Sequence, residues 1–346
     1  ALLFAYAAPM VPINFSLVLF MSYISNYAID VLLVPPAIAD ALRVAVISDL
    51  NGSYGSMVYS PVVARHIAGL VRLRPDLVIS TGDMVAGQRR HPPLERDTVE
   101  AMWSGFHAQV SDPIRAANIP FAVTPGNHDA SAYPAFALER AIYRQQWQER
   151  TDGLHFIDRR NYPFDYAFAL GEVLFISLDA TRVGVLDDEQ RSWLDTLLQQ
   201  KGPEFRYRVA FSHLPIYPFS VGRENEVTAD LELERLLRQH RVELYLSGHH
   251  HAFYPGYRAG IRHVGQACLG AGPRRLIGTS QQAKRAVTWL EIDDEGIEVT
   301  AFTGPALDQP IDITTLPATI VSSYGTLIRE DLRPMTMPQP EGTETE

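Results

Sequence analysis

A single cysteine, Cys268, occurs in 346 residues, which excludes an internal disulfide and a thiolate-rich zinc site and leaves the redox compartment open. Its surroundings, Gly265-Gln266-Ala267-Cys268-Leu269-Gly270, read as a buried strand in which a free thiol packs like a small apolar group. Positive charge is also short. Thirty Lys and Arg stand against forty Asp and Glu, a net charge of -10. A nucleic-acid polymer is held largely by Lys and Arg neutralising its phosphates, so the balance argues against that partner while leaving a nucleotide-sized substrate open. No internal repeat is present. Hydrophobic residues at 46 % and charged residues at 20 % fit a soluble globular chain.

Charge is absent altogether from Ala1 to Ile29, a run longer than the ~20 residues that cross a bilayer. Pro9, Pro12 and Asn14 weaken its first half, and Phe15 to Ile29 is the better apolar helix. Ala37-Ile38-Ala39 and Ala39-Asp40-Ala41 resemble signal-peptidase sites, although a basic n-region is lacking and Asp30 interrupts the apolar run. Residues 1–41 are therefore expected to form a secretion signal, a membrane anchor or an additional packed helix. Export or membrane association through residues 1–29 is favoured over a cytoplasmic location. One main domain is expected over residues 42–304, followed by an extension, 305–346, that ends in a loose tail from Pro334.

Beyond Ala41 short β-branched runs alternate with helical stretches, the rhythm of a layered α/β protein. Arg43 to Ser48 is nearly continuously apolar, as in a strand covered on both faces. Ser60-Pro61 supplies an N-cap and a proline at the first helical position. Further strands are expected at 76–80, 121–124, 166–170, 173–178, 208–212 and 243–246. Helices fit at 61–74, 95–118, 188–200 and 228–239, and residues 286–292 and 296–302 read as a hairpin.

Five polar clusters follow expected strands: Asp49-Leu50-Asn51, Gly82-Asp83, Gly126-Asn127-His128-Asp129, Ser212-His213 and Gly248-His249-His250-His251. Each alone could be a turn or a hydrogen-bonded histidine. Together they form an inventory of carboxylate, amide and imidazole donors without thiolate, which suits two cations of the manganese, iron or zinc kind.

In order and spacing the series resembles the calcineurin-like metallophosphoesterases, the family of purple acid phosphatases and phosphodiesterases. Their pattern is Asp-x-His, Gly-Asp, Gly-Asn-His-Asp or -Glu, a lone His, and Gly-His-x-His. The resemblance implies two packed mixed β-sheets flanked by helices, two bound metals (Mn, Fe or Zn), and hydrolysis of a phosphate mono- or diester by a metal-bound hydroxide. By position it implies that Asp83 bridges the metals, that Asp49 and His251 hold one, and that Asn127, His213 and His249 hold the other. His128 would face the substrate with Asp129 holding its ring, and Asn127 would help to place a phosphate oxygen. His250 should point away.

The chain departs from the family in two places. Asn51 stands where the family has histidine, so it would be a weaker ligand to the first metal, and Ala86 stands where many members have aspartate, with Gln88 a possible substitute. Arg89, Arg90, Arg274 and Arg275 are candidates to hold the anionic substrate, and Tyr54, Tyr217 and Tyr254 either line its pocket or pack. The expected partner is a phosphorylated small molecule or another phosphoester substrate. A binding protein that has lost catalysis, and a membrane-tethered enzyme for a lipid-linked phosphate, are the alternatives.

Overall fold

The computed structural model describes residues 41–334 apart from position 152. The expected signal, anchor or extra helix at 1–41 and the end of the tail lie outside the described residues, save Ala41 itself. In chain order the strands and helices are β1 (Leu42–Ile47), α1 (Pro61–Leu73), β2 (Leu77–Ser80), α2 (Arg96–Phe106), α3 (Asp112–Ala116), β3 (Phe121–Val123), α4 (Asn127–Ala130) and α5 (Ala137–Trp147). They continue as β4 (His155–Asn161), β5 (Asp165–Leu170), β6 (Val173–Ser177), α6 (Asp188–Lys201), β7 (Tyr207–Ser212), α7 (Leu231–Gln239), β8 (Leu244–Ser247), β9 (Tyr254–Arg258) and β10 (Ile261–Gly265). Last come β11 (Val287–Ile292), β12 (Ile297–Thr303), β13 (Gln309–Pro310), β14 (Thr319–Ser322) and β15 (Gly325–Arg329).

Two mixed sheets result. The first has six strands in the order β13-β12-β11-β1-β2-β3, and the second has nine in the order β14-β15-β9-β10-β8-β7-β6-β5-β4. Within the first, β1, β2 and β3 run parallel. Within the second, β6, β7 and β8 do. Parallel neighbours point their carboxyl ends the same way, so each sheet sends a bundle of loops to one edge.

The sequence sorts side chains between layers with a period of two. On β6, Val173 and Phe175 join the cluster shared by the two sheets, whereas Leu174 and Ile176 pack with Trp193, Leu194 and Leu197 of α6. β7 and β8 repeat the pattern, with Val209, Phe211, Leu244 and Leu246 facing inward and Ala210 and Tyr245 outward. Such strands, covered on both faces, read as continuous apolar runs.

Helix α1 starts at Pro61 as expected, but Ser60 makes no side-chain cap bond. The helix stops at Arg74, left-handed at φ 48°, whose N–H reaches Leu70 O. The single helix expected over 95–118 is α2 and α3 joined by a π-helical turn, His107–Ser111. The helix expected from Thr228 begins at Leu231, because Asp230 caps it by accepting from Leu233 N. Cys268 is buried, but in a loop rather than a strand, with its thiol against Ala271 O. The Pro- and Thr-rich stretch after Gly304 contributes β13 to the first sheet and β15 to the second.

At that π turn, His107 sits among Trp103 and Trp147, its Nδ1 2.7 Å from Ser111 Oγ and its Nε2 3.1 Å from Gln146 Oε1. Burial, then the charge of Arg150, pushes the imidazole down to about 4. A folded-state value below that of the unfolded chain gives stability that is full above pH ~6.5 and is lost as the pH falls towards 4. Allowing for partial screening, the loss is on the order of 2 kcal/mol. Denaturant midpoints at pH 7 and pH 4.5 should therefore fall further for the wild type than for His107→Gln. Parallel curves would show that His107 does not titrate there.

Candidate metal centre

The carboxyl ends of β1, β2 and β3 deliver Asp49, Asp83 and Asn127, and those of β7 and β8 deliver His213 and the His249–His251 loop. Two glycines allow these loops to meet. A Cβ on Gly126 would land on the Asp83 backbone nitrogen, and one on Gly248 would strike Ser48 Oγ and come within 3.0 Å of Asp49 Oδ2. Asp49 (φ 51°), Asp83 (φ 55°), His249 (φ 64°) and His251 (φ 53°) all turn through the left-handed region as they leave their strands.

The side chains converge. His213 Nε2 lies 2.9 Å from Asn127 Oδ1, 3.3 Å from Asp83 Oδ1 and 3.2 Å from His249 Nδ1. Ligand atoms of Asp83, His213 and His249 all fall within 4.8 Å of one another. Beside them, His251 Nε2 is 3.1 Å from Asp49 Oδ1, while Asp49 Oδ2 accepts from Ser48 Oγ and from the His249 N–H.

Hydrogen bonding fixes which ring nitrogens face inward. His213 Nδ1 meets Thr81 O at 2.8 Å, His251 Nδ1 meets Gly272 O at 2.9 Å, and His249 Nε2 meets Glu226 Oε2 at 2.8 Å. Oxygen acceptors require N–H on each outer nitrogen, which leaves the three inner nitrogens as lone pairs in the neutral rings. The His213 and His249 nitrogens face each other beside Asp83, that of His251 faces Asp49, and Asp49 Oδ1 is buried with no hydrogen bond among the described residues. Only positive charge between them relieves such an arrangement, so the donor set fits metal ions.

The electrostatics agree. Burial would raise the Asp49 carboxyl, but the charges of His251 and His213 outweigh it and hold it below its ordinary value. Asp83 is held down likewise, as His213 and His128 overcome the same burial cost. His249 is pushed well down by burial and by His213 and His250, so it stays neutral. For His213 burial is outweighed by Asp83, which raises it to about 9, so a proton on Nε2 supplies the positive charge the cluster needs and a metal ion would displace it to reach the lone pair.

His128 stands at the rim. Its N–H donates to Asp83 Oδ1, its Nδ1 meets Gly87 O at 2.8 Å, and its Nε2 lies 3.9 Å from Asp83 Oδ2 with the Tyr54 ring 5.4 Å away. The expected grip of Asp129 on this ring is not found. Asp129 is fully buried and accepts the N–H groups of Val85 and Gly126, capping α4 from its own first turn. His250 points away as expected, between the Phe219 N–H and Glu226 O.

Asn51 is buried next to Asp83 O, which its N–H reaches, but among the described residues its side chain makes no hydrogen bond. Gln88 Oε1 accepts from Asn127 Nδ2 and so orients the amide oxygen towards His213. Ala86 is buried and offers only its carbonyl, to the Gly55 N–H.

Of the four candidate arginines, only Arg274 is tied to the centre, through its N–H to His251 O. Arg89 and Arg90 line a separate pocket of about 380 Å³ with His91 and Tyr133, Arg89 Nε being engaged by Pro92 O. Arg275 is exposed, and its carbonyl accepts from the Val221 N–H. Tyr217 and Tyr254 are buried against Glu234 and Pro317 and therefore pack.

Two residues were missed at the sequence level, Arg223 and Glu226, in the loop after His213. Arg223 donates to Glu226, and burial followed by the nearby Arg274 charge lowers its guanidinium. The Nε atoms of Arg223 and Arg274 are buried without hydrogen-bond partners among the described residues. No motif marks this loop. An Arg-x-x-Glu pair is commonplace, and only the fold brings it to the histidines.

The sequence model of the family described as calcineurin-like phosphoesterase matches residues 42–253. No curated protein sequence matches the chain. Among solved structures, a purple acid phosphatase from yellow lupin (Lupinus luteus) seeds superimposes with a TM-score of 0.58 at 16% identity, over 79% of this chain and 53% of that one. A dimetal phosphatase from Danio rerio gives 0.52 at 17% over 76% and 99%, and GAP50, the anchor in the inner membrane complex of Plasmodium, gives 0.51 at 15% over 78% and 87%. At these identities the shared feature is the fold, and the chain spans about half the length of the lupin enzyme.

Proposed function

The chain belongs to the calcineurin-like phosphoesterase family, and from that premise we propose that it hydrolyses the phosphate ester of a small molecule at a two-metal centre. The observation that carries the proposal is the inward convergence of lone pairs from His213, His249 and His251 on Asp49 and Asp83. Asp83 would be shared by both metals. Asp49 and His251, with Asn51 beside them, would complete one set, and Asn127, His213 and His249 the other. When bound, such a pair supplies Lewis-acid charge and lowers the pKa of coordinated water.

The protein's own groups supply the rest. His128, anchored through Nδ1 to Gly87 O, presents Nε2 to hydrogen-bond a phosphoryl oxygen or to protonate the leaving oxygen. Arg223 and Arg274, two cations drawn together with no carboxylate for Arg274 among the described residues, would take the remaining anionic oxygens. Tyr54, exposed beside His128, would form one wall of the pocket. Export or membrane association through residues 1–29 belongs to the same proposal. Among the described residues no helix is long and apolar enough to cross a membrane.

Chelated protein should lose turnover of chromogenic phosphomonoesters or diesters and regain it on addition of Mn, Fe or Zn, with or without residues 1–40. Metal uptake with no turnover of any phosphoester would favour a binding role, of the kind the name of the Plasmodium anchor describes for that protein. Failure to take up metal would end the reading.

A further inference from the structure

Glu226 contacts two consecutive residues of the Gly248–His251 loop. Its carboxylate accepts the Nε2–H of His249 at 2.8 Å, and its backbone carbonyl lies 3.1 Å from His250 Nε2. The carboxylate is itself held, because Arg223 donates to the same Oε2. A turn, Glu226 N to Arg223 O at 3.0 Å, sets the spacing of the pair. His249 is buried and carries a left-handed backbone, so its ring has few other ways to be oriented.

We propose that Glu226 is a positioning residue for the metal centre. By accepting the Nε2 proton it locks His249 in the tautomer whose Nδ1 faces Asp83 and His213, and its negative charge makes that nitrogen a stronger donor. The inference rests on the metal-centre reading of the preceding section. A carboxylate behind a ligating imidazole is a general device for fixing ring orientation and basicity, and its loss usually costs about 10- to 100-fold in metal affinity. Because Glu226 touches only His249 among the proposed ligands, the loss should fall on one of the two sites. Arg223 would act one step further out, so Arg223→Gln should weaken the same site by less.

The test is competitive titration of the chelated full chain with Zn²⁺ and with Mn²⁺ against a chromophoric chelator, for wild type, Glu226→Gln, Glu226→Ala and His251→Ala. Glu226→Ala should weaken one site by about 10- to 100-fold and leave the other unchanged. Glu226→Gln, whose amide oxygen still accepts the Nε2–H, should lose less, and His251→Ala should weaken the opposite site. Melting temperatures of the chelated variants should match wild type. Unchanged affinities in Glu226→Ala, or equal losses at both sites with a lowered melting temperature, would overturn the positioning role while leaving the metal centre standing. A wild type that takes up no metal overturns both.

Discussion

Asp83→Asn is expected to empty the centre of metal and to lower phosphoester turnover by about a thousandfold or more, since metal charge contributes several kcal/mol to such transition states. Asp83 occupies the junction of the two proposed ligand sets. Its Oδ1 accepts the His128 N–H at 2.8 Å and lies 3.3 Å from His213 Nε2. The neighbouring imidazoles hold its carboxyl below the ordinary range in spite of complete burial, so it carries its charge at neutral pH. Asparagine keeps the shape and an oxygen for the His128 N–H, so the fold should survive and circular dichroism should not change. Only the charge is lost. Metal content by mass spectrometry and kcat/KM on chromogenic esters are the readouts, and two retained metals with wild-type turnover would remove Asp83 from the bridging position.

His128→Ala should separate chemistry from metal binding. The ring sits beside Asp83 but spends Nδ1 on Gly87 O, and its Nε2 is 3.9 Å from the nearest Asp83 oxygen. Turnover should fall by about two to four orders of magnitude, the usual contribution of general acid–base catalysis, with metal content intact. A substrate with a very acidic leaving group needs less protonation and should show a smaller loss. If metal leaves with the ring, His128 is a ligand and the general-acid role passes elsewhere.

Much of this site was legible because it lies at strand ends. The five clusters follow β1, β2, β3, β7 and β8, and apolar runs followed by Gly, Asp, Asn or His are strong local signals. The same local reasoning placed His250 outward. The resemblance misled at Asp129, where it implied a carboxylate holding the His128 ring. In a short helix the N3 carboxylate instead serves the backbone N–H groups of its own first turn. Glu226 and Arg223 were invisible for a different reason. They lie in a long loop without periodicity, and only the packing of that loop over the His249 strand end gives them meaning. The edge strand β14 and its neighbour β15 were missed because Pro- and Thr-rich composition around them hides the strand pattern.

The left-handed turns at Asp49, Asp83, His249 and His251 set stability against activity. A side chain with a Cβ gives up roughly 1 kcal/mol in that conformation, so the four together forgo about 4 kcal/mol, a sizeable part of the 5–15 kcal/mol that holds an ordinary domain together. Glycine would recover most of it at each position, and at each position glycine has no donor atom. The rest of the fold, with its strands covered on both faces, must therefore supply a surplus. Selection for thermal robustness alone would be expected to erode these four positions.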